Sequence, residues 1–172
     1  MRIDGLTGLP TREELALLLA ASTTPFAVFF DIDALVQLTH MCGYLSSDDA
    51  IIRVARIVRD RAAALGYPVF RIGGDEFLVV LEGGTHSQAR AFARSVLTTV
   101  STARIEYCRF DDPSRDHLAL NAVVCRVSPR LGSHLAEAHD WFADQIWKAK
   151  QGDVHRFGVV ADAGEGVPPW AF

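Results

Sequence analysis

The sequence predicts an α/β fold of the α+β sandwich kind, a mixed central sheet covered by helices. Three observations carry this. Apolar runs of strand length, FAVFF (26–30) and FLVVL (77–81), lack polar alternation, as strands buried on both faces do. Longer stretches between them place apolar residues at helical spacing, as in DDAIIRVARIVRDRAAAL (48–65). In order, the core reads strand–helix–strand–strand–helix–strand, with additions at both ends.

The elements follow from local chemistry. After a turn in DGLTGLP, Thr11 and Glu14 have the spacing of a capping box, opening a helix with Leu15, Leu18 and Leu19 on one face. Pro25 closes it, and FAVFFDID (26–33) reads as a buried strand ending in Asp31 and Asp33. Residues 34–45 read as a helix and a turn at Gly43, and a further helix starts near Ser46 or Ser47. Its apolar stripe is Ile51, Val54, Ala55 and Val58. VFRI (69–72) and FLVVL form a hairpin around Gly73 and Gly74. A helix over 85–100 has Thr85 or Ser87 as its cap. ARIEYCRF (103–110) and HLALNAVVCRV (117–127) read as strands around the turn DDPSRD. Residues 133–150 form a helix with Trp141, Ile146 and Trp147 near its packed side, and HRFGVVA (155–161) is a last strand. Residues 1–162 are expected to be one domain and 163–172 a tail.

Composition excludes several function classes. A net charge of −4 gives no basic footprint for nucleic acid. The three cysteines are scattered without metal spacing, which favours a reduced, cytoplasmic setting. The first residues lack the apolar core of a signal peptide, and no run reaches the ~20 apolar residues of a membrane helix. There is no phosphate-binding G-x-x-x-x-G-K loop. The six histidines, His139 among them, are scattered and read as surface or capping residues.

The acids are the informative feature. Asp31 closes an apolar run, where an acid is unexpected. Asp75 and Glu76 sit in the hairpin turn. If the two strands are neighbours, three carboxylates converge at one edge of the sheet and repel unless a cation sits among them. Mg²⁺ or Mn²⁺ suits such oxygen ligands and completes its shell with substrate phosphates. Gly73 and Gly74 let a phosphate or ribose approach the backbone.

Residues 73–77, Gly-Gly-Asp-Glu-Phe, reproduce the signature of GGDEF domains. DGLTGLPTR (4–12) resembles the D-x-L-T-G-L-P-N-R opening of that family, with Thr11 in place of Asn. FFDID (29–33) resembles its first strand and metal turn, and WKAKQGD (147–153) its late A-K segment. The resemblance runs in order over residues 4–160. It implies a sheet like that of nucleotide cyclase palms and condensation of two GTP into cyclic di-GMP. It implies metal ligation by Asp31, Asp75 and Glu76, assisted by the Ile32 carbonyl, with Glu76 alternatively helping to deprotonate the 3′-hydroxyl. Gly73 and Gly74 would lie under the nucleotide, Lys150 would neutralise triphosphate, and Thr39 and Asp48 would take the two guanine-reading positions.

The sequence departs from the family at several of these positions. Val36 replaces a phosphate-binding lysine and Thr39 an asparagine whose amide pattern a hydroxyl cannot present. Asn121-Ala122-Val123 stand where the family has S-I-G, and the late arginine is replaced by Val154 or displaced to Arg156. The inhibitory R-x-x-D is Ala64 and Tyr67 here, so product feedback by that route is not expected. The resemblance therefore implies a metal-dependent diguanylate cyclase acting as a homodimer. Its alternatives are a nucleotide-binding module without turnover, or a cyclase with altered purine preference. No sensor or long coiled coil is evident in these residues, so a separate regulatory protein is a further expectation.

Overall fold

The computed structural model describes residues 1–22, 25–106, 117–151 and 158–162. In chain order the elements are α1 (Arg12–Ala21), β1 (Phe26–Ile32), α2 (Leu35–Cys42), α3 (Tyr44–Ala63), β2 (Val69–Arg71) and β3 (Glu76–Leu81). Then come α4 (His86–Thr102), β4 (Leu120–Arg126), a 3₁₀ turn (Pro129–Ser133), α5 (Leu135–Gln151) and β5 (Val160–Asp162). The strands form one five-stranded sheet in the order β2-β3-β1-β4-β5. All neighbours are antiparallel except β4 and β5.

Helices cover both faces of the sheet, which is why β1 and β3 are apolar throughout rather than alternating. Val28, Phe30 and Ile32 of β1 pack toward α2, α3 and α4 with Phe77 and Val79. Ala27 and Phe29 face the other way, with Leu78, Val80, Leu15, Leu19 and the α5 residues Phe142 and Ile146. Phe142 stacks on Phe29 with ring centroids 4.1 Å apart. This contact seats α5 two residues below Asp31. Phe142→Ala, at a fully buried position, is expected to cost about 3–5 kcal/mol of stability, measurable by denaturant unfolding.

Several local expectations shift. Thr11 precedes α1 but makes no side-chain cap bond. Its hydroxyl donates to Glu13 (2.6 Å), while Glu14 accepts from the Arg2 backbone N–H (2.6 Å). A folded-back N-terminus has taken the acid a capping box needs. By contrast Thr85 and Gln88 form a complete capping box on α4. The third helix starts at Tyr44, immediately after the left-handed Gly43 (φ 81°), rather than at Ser46 or Ser47.

The strand expected from Ala103 begins later: Ala103 caps α4, and Glu106 pairs with His117 in an isolated bridge. The rest of that strand and the turn 111–116 lie outside the described residues, as do Val154, Arg156 and the tail 163–172. The last strand is Val160–Asp162. Trp141 packs against Phe142, but Trp147 is 61% exposed and does not join the core. Among the described residues no helix is long and apolar enough to cross a membrane.

Candidate active site

The site follows from the register of three strands. Asp31 stands opposite Glu76 on β3 and opposite Asn121 on β4. Side chains on one strand alternate between faces, and directly opposed residues share a face. Asp31, Glu76 and Asn121 therefore emerge together on the α5 side, at the end of the sheet. They line a cavity of about 220 Å³ with Asp33, His139, Trp147 and Lys150.

Each group is held. Asn121, 1% exposed, donates its amide to Asp31 Oδ2 (3.2 Å) and accepts from the Val159 N–H (3.4 Å). Lys150, near the end of α5, donates to Asp33 Oδ1 (2.6 Å). His139, further up α5, places Nε2 3.1 Å from Glu76 Oε1. The Ile32 N–H donates to the Asp75 carbonyl (3.2 Å), tying the end of β1 to the glycine turn. Arg71 braces that turn from behind. It donates to the Gly74 carbonyl and to Asp4 Oδ1 (2.8 Å), and Asp4 also accepts from the Thr7 N–H (2.8 Å) and hydroxyl (2.6 Å). Burial alone would raise the Asp4 carboxyl, but these donors outweigh it and hold it below the ordinary range.

Burial and neighbouring charge shift the acids in one direction. Burial, then the charge of Asp75, pushes Asp31 up to about 7; Asn121 opposes this, and Asp33 and Glu76 add to it. Burial also raises Asp75, against its own backbone N–H, His139 and Arg71. Glu76 is raised by burial, with His139 pulling it back and Asp75 adding to the rise. His139 is raised by its hydrogen bond to Asp140 and by the Glu76 charge. Asp31, Asp75 and Glu76 are thus held in a setting that disfavours their charge, although Asp75 is not among the residues that line the cavity. Among the described residues no three Asp, Glu, His or Cys side chains are already gathered around one point. The donor chemistry still fits a hard divalent cation, since magnesium is commonly held by one or two carboxylates and completed by phosphate and water.

The other expected site residues are more dispersed. Gly73 and Gly74 precede the acids, and Gly73 has a physical reason to be glycine: a Cβ there would lie 1.9 Å from Glu76 Oε2. Gly73→Ala is expected to displace the Glu76 side chain from the cavity with little loss of melting temperature, checked by the variant's crystal structure and its thermal unfolding. Ile32 points its side chain into the core. Thr39 and Asp48 lie on α2 and α3 and do not line the carboxylate cavity. The Thr39 hydroxyl lies 3.0 Å from the Leu35 carbonyl and 2.6 Å from the Ser47 hydroxyl.

Three participants escaped the sequence. Asn121 could have been found as a polar residue inside an apolar strand. His139 lies about three helical turns before Lys150, which the sequence does single out, and shares its face of α5. Asp33 ends the same run as Asp31, but nothing local reveals its pairing with Lys150.

Comparisons with known proteins bear on the fold and the family. The family model described as "Diguanylate cyclase, GGDEF domain" matches residues 1–153. The chain is 26% identical over 72 residues to the probable diguanylate cyclase DgcI of Escherichia coli K12, covering 42% of this chain. It is 24% identical over 106 residues to the diguanylate cyclase DosC of the same organism, covering 60%. The matched parts span 16% and 23% of those relatives' lengths. The GGDEF domain of DgcB from Caulobacter crescentus, solved with c-di-GMP, superposes with a TM-score of 0.73 at 20% identity, over 94% of this chain and 95% of that one. The diguanylate cyclase SiaD of Pseudomonas aeruginosa, solved with its activator SiaC, gives 0.66 at 21% identity, over 92% and 61%. The α+β sandwich is thus the fold of these domains, and the chain belongs to the GGDEF domain family of diguanylate cyclases.

Proposed function

We propose that this chain is a metal-dependent diguanylate cyclase that joins two GTP molecules into cyclic di-GMP as a homodimer. The observation that supports this most is the opposition of Asp31 and Glu76 on neighbouring strands, at the mouth of a cavity whose rim carries Lys150. Asp31, Asp75 and Glu76 would hold the cation, with the Ile32 carbonyl in reach of the same edge. A divalent cation bound there supplies positive charge to the reacting phosphate and favours ionisation of the attacking hydroxyl. The 3′-hydroxyl oxygen of one GTP bonds to the α-phosphorus of the other, and the α–β phosphoanhydride bond breaks. Pyrophosphate leaves with that bond's electrons, and the hydroxyl proton passes to Glu76 or to water. The same step in the opposite sense closes the ring. Lys150 can leave Asp33 for phosphate as charge enters the cavity. Gly73 and Gly74 keep the backbone open to the nucleotide, with Thr39 and Asp48 at its base. Each copy binds one GTP, so two must face each other. A separate activator protein, such as SiaC is for SiaD, could bring them together. GTP as substrate favours the cytoplasm.

One observation favours a second reading. Thr39 and Ser47 bond to each other and both reach backbone carbonyls, so their protons are committed within the α2–α3 corner. Val36 stands 64% exposed with no charge to offer phosphate. A nucleotide-binding domain without turnover, or a cyclase less selective for guanine, would look like this.

Incubation with GTP, ATP or both, with Mg²⁺ or Mn²⁺, followed by chromatography, separates these outcomes. Cyclic di-GMP that vanishes in Asp75→Ala supports the cyclase. Binding without product supports the second reading, and an adenine-containing product supports relaxed selectivity. Failure of either nucleotide to bind with metal present would contradict both.

A further inference from the structure

Asn121 is a fully buried amide between the apolar residues Leu120 and Ala122 of β4, and both of its ends are engaged. Its Oδ1 lies 3.4 Å from the Val159 backbone nitrogen and its Nδ2 3.2 Å from Asp31 Oδ2. A backbone N–H can only donate, so it selects the carbonyl end of the amide and turns the NH₂ end to Asp31. The anchor is firm. The Val159 carbonyl accepts from the Ala122 N–H (2.7 Å). Gly158 before it lies so close to β4 that a Cβ would sit 2.6 Å from the Leu120 carbonyl oxygen.

We propose that Asn121 is a positioning residue that reserves one oxygen of Asp31 for the cation, and so shifts the preference of the site toward compact octahedral ions and away from calcium. The claim rests on the cation-binding reading above. The strand register sets Asn121 directly opposite Asp31. Its N–H engages Oδ2 and holds the plane of the carboxylate, which leaves Oδ1 as the oxygen for the cavity that Asp31 lines. A carboxylate restrained in this way offers one oxygen. That suits magnesium, which demands a near-ideal octahedral shell. Calcium takes a larger and looser shell and accepts both oxygens of a carboxylate. Without the amide, Asp31 is free to turn and present both. Hydrogen-bonded partners of this kind orient metal-binding groups generally. The amide is neutral, so it orients Asp31 without adding charge to the site.

Mn²⁺ titration of the full chain without nucleotide, read from loss of the free-ion electron paramagnetic resonance signal, tests this. Displacing the bound Mn²⁺ with Mg²⁺ or with Ca²⁺ then gives the affinity for each. Asn121→Leu keeps nearly the shape of the side chain and removes the donor. It is expected to weaken Mn²⁺ binding about tenfold or more, the range for losing such a partner, and to raise the affinity for Ca²⁺ relative to Mg²⁺. Asn121→Ala, which leaves room for water at the Val159 N–H, is expected to shift the ratio in the same direction. Thermal unfolding shows that each variant is folded at the assay temperature. Unchanged Mn²⁺ affinity overturns the proposal. So does equal weakening for all three ions, which is what a merely loosened sheet would give. A wild-type chain that takes up no Mn²⁺, or whose uptake Asp31→Asn retains in full, removes the cation reading itself and this proposal with it.

Discussion

Asp31→Asn and Glu76→Gln are each expected to lower cyclic di-GMP formation by roughly a hundredfold or more while leaving the fold intact. The substitutions are nearly isosteric and remove one negative charge each from the donor set. A bound cation contributes several kcal/mol of charge stabilisation to phosphoryl chemistry, and about 1.4 kcal/mol is a factor of ten in rate. Asn at position 31 can still accept the Asn121 amide, so the β1–β4 pairing is preserved. Glu76→Gln keeps the side chain's size beside His139. Steady-state product assays with circular dichroism as the folding control check both. Activity within about tenfold of wild type in either variant would mean that the charge at that position does not serve the reaction.

The second large effect is on stability, and it has the opposite sign. Burial and Asp75 raise the Asp31 carboxyl from 3.8 to about 7. Between those values the folded chain holds a proton that the unfolded chain has released, so stability falls as pH rises from about 4 through 7. A shift of this size corresponds to at most about 4 kcal/mol. The raised Asp75 and Glu76 carboxyls act in the same direction. Metal-free protein is therefore expected to melt at a lower temperature at pH 8 than at pH 5. Asp31→Asn should flatten that slope, making the inactive variant the more stable one at pH 8. Adding Mn²⁺ to the wild type should restore its melting temperature by binding the folded state alone. A slope that survives Asp31→Asn would place its origin elsewhere.

What the sequence could reveal depended on how local the signal was. β1 was readable because FAVFF is a continuous apolar run, and Asp31 stood out as the acid that ended it. The hairpin was readable because two glycines interrupt two such runs. The α1 cap was misjudged because the backbone of Arg2, twelve residues before Glu14, competes for that acid, and spacing rules cannot register a competitor from a folded-back terminus. Trp147 was misplaced because an indole at the packed end of a helix ordinarily belongs to the core, whereas here it borders the cavity. Asn121 and His139 needed the register of β1 against β4 and the seating of α5 on Phe29, neither of which local chemistry determines. Candidate acids come from sequence, but the groups that hold them come from tertiary structure.

The most direct test is where a divalent cation binds. Anomalous diffraction from crystals of this chain soaked in Mn²⁺ should show a peak within coordination distance of Asp31 and of the Asp75–Glu76 turn, at the mouth of the cavity lined by His139 and Lys150. A peak elsewhere on the surface, with Asp31 and Glu76 bearing no density between them, would contradict the account.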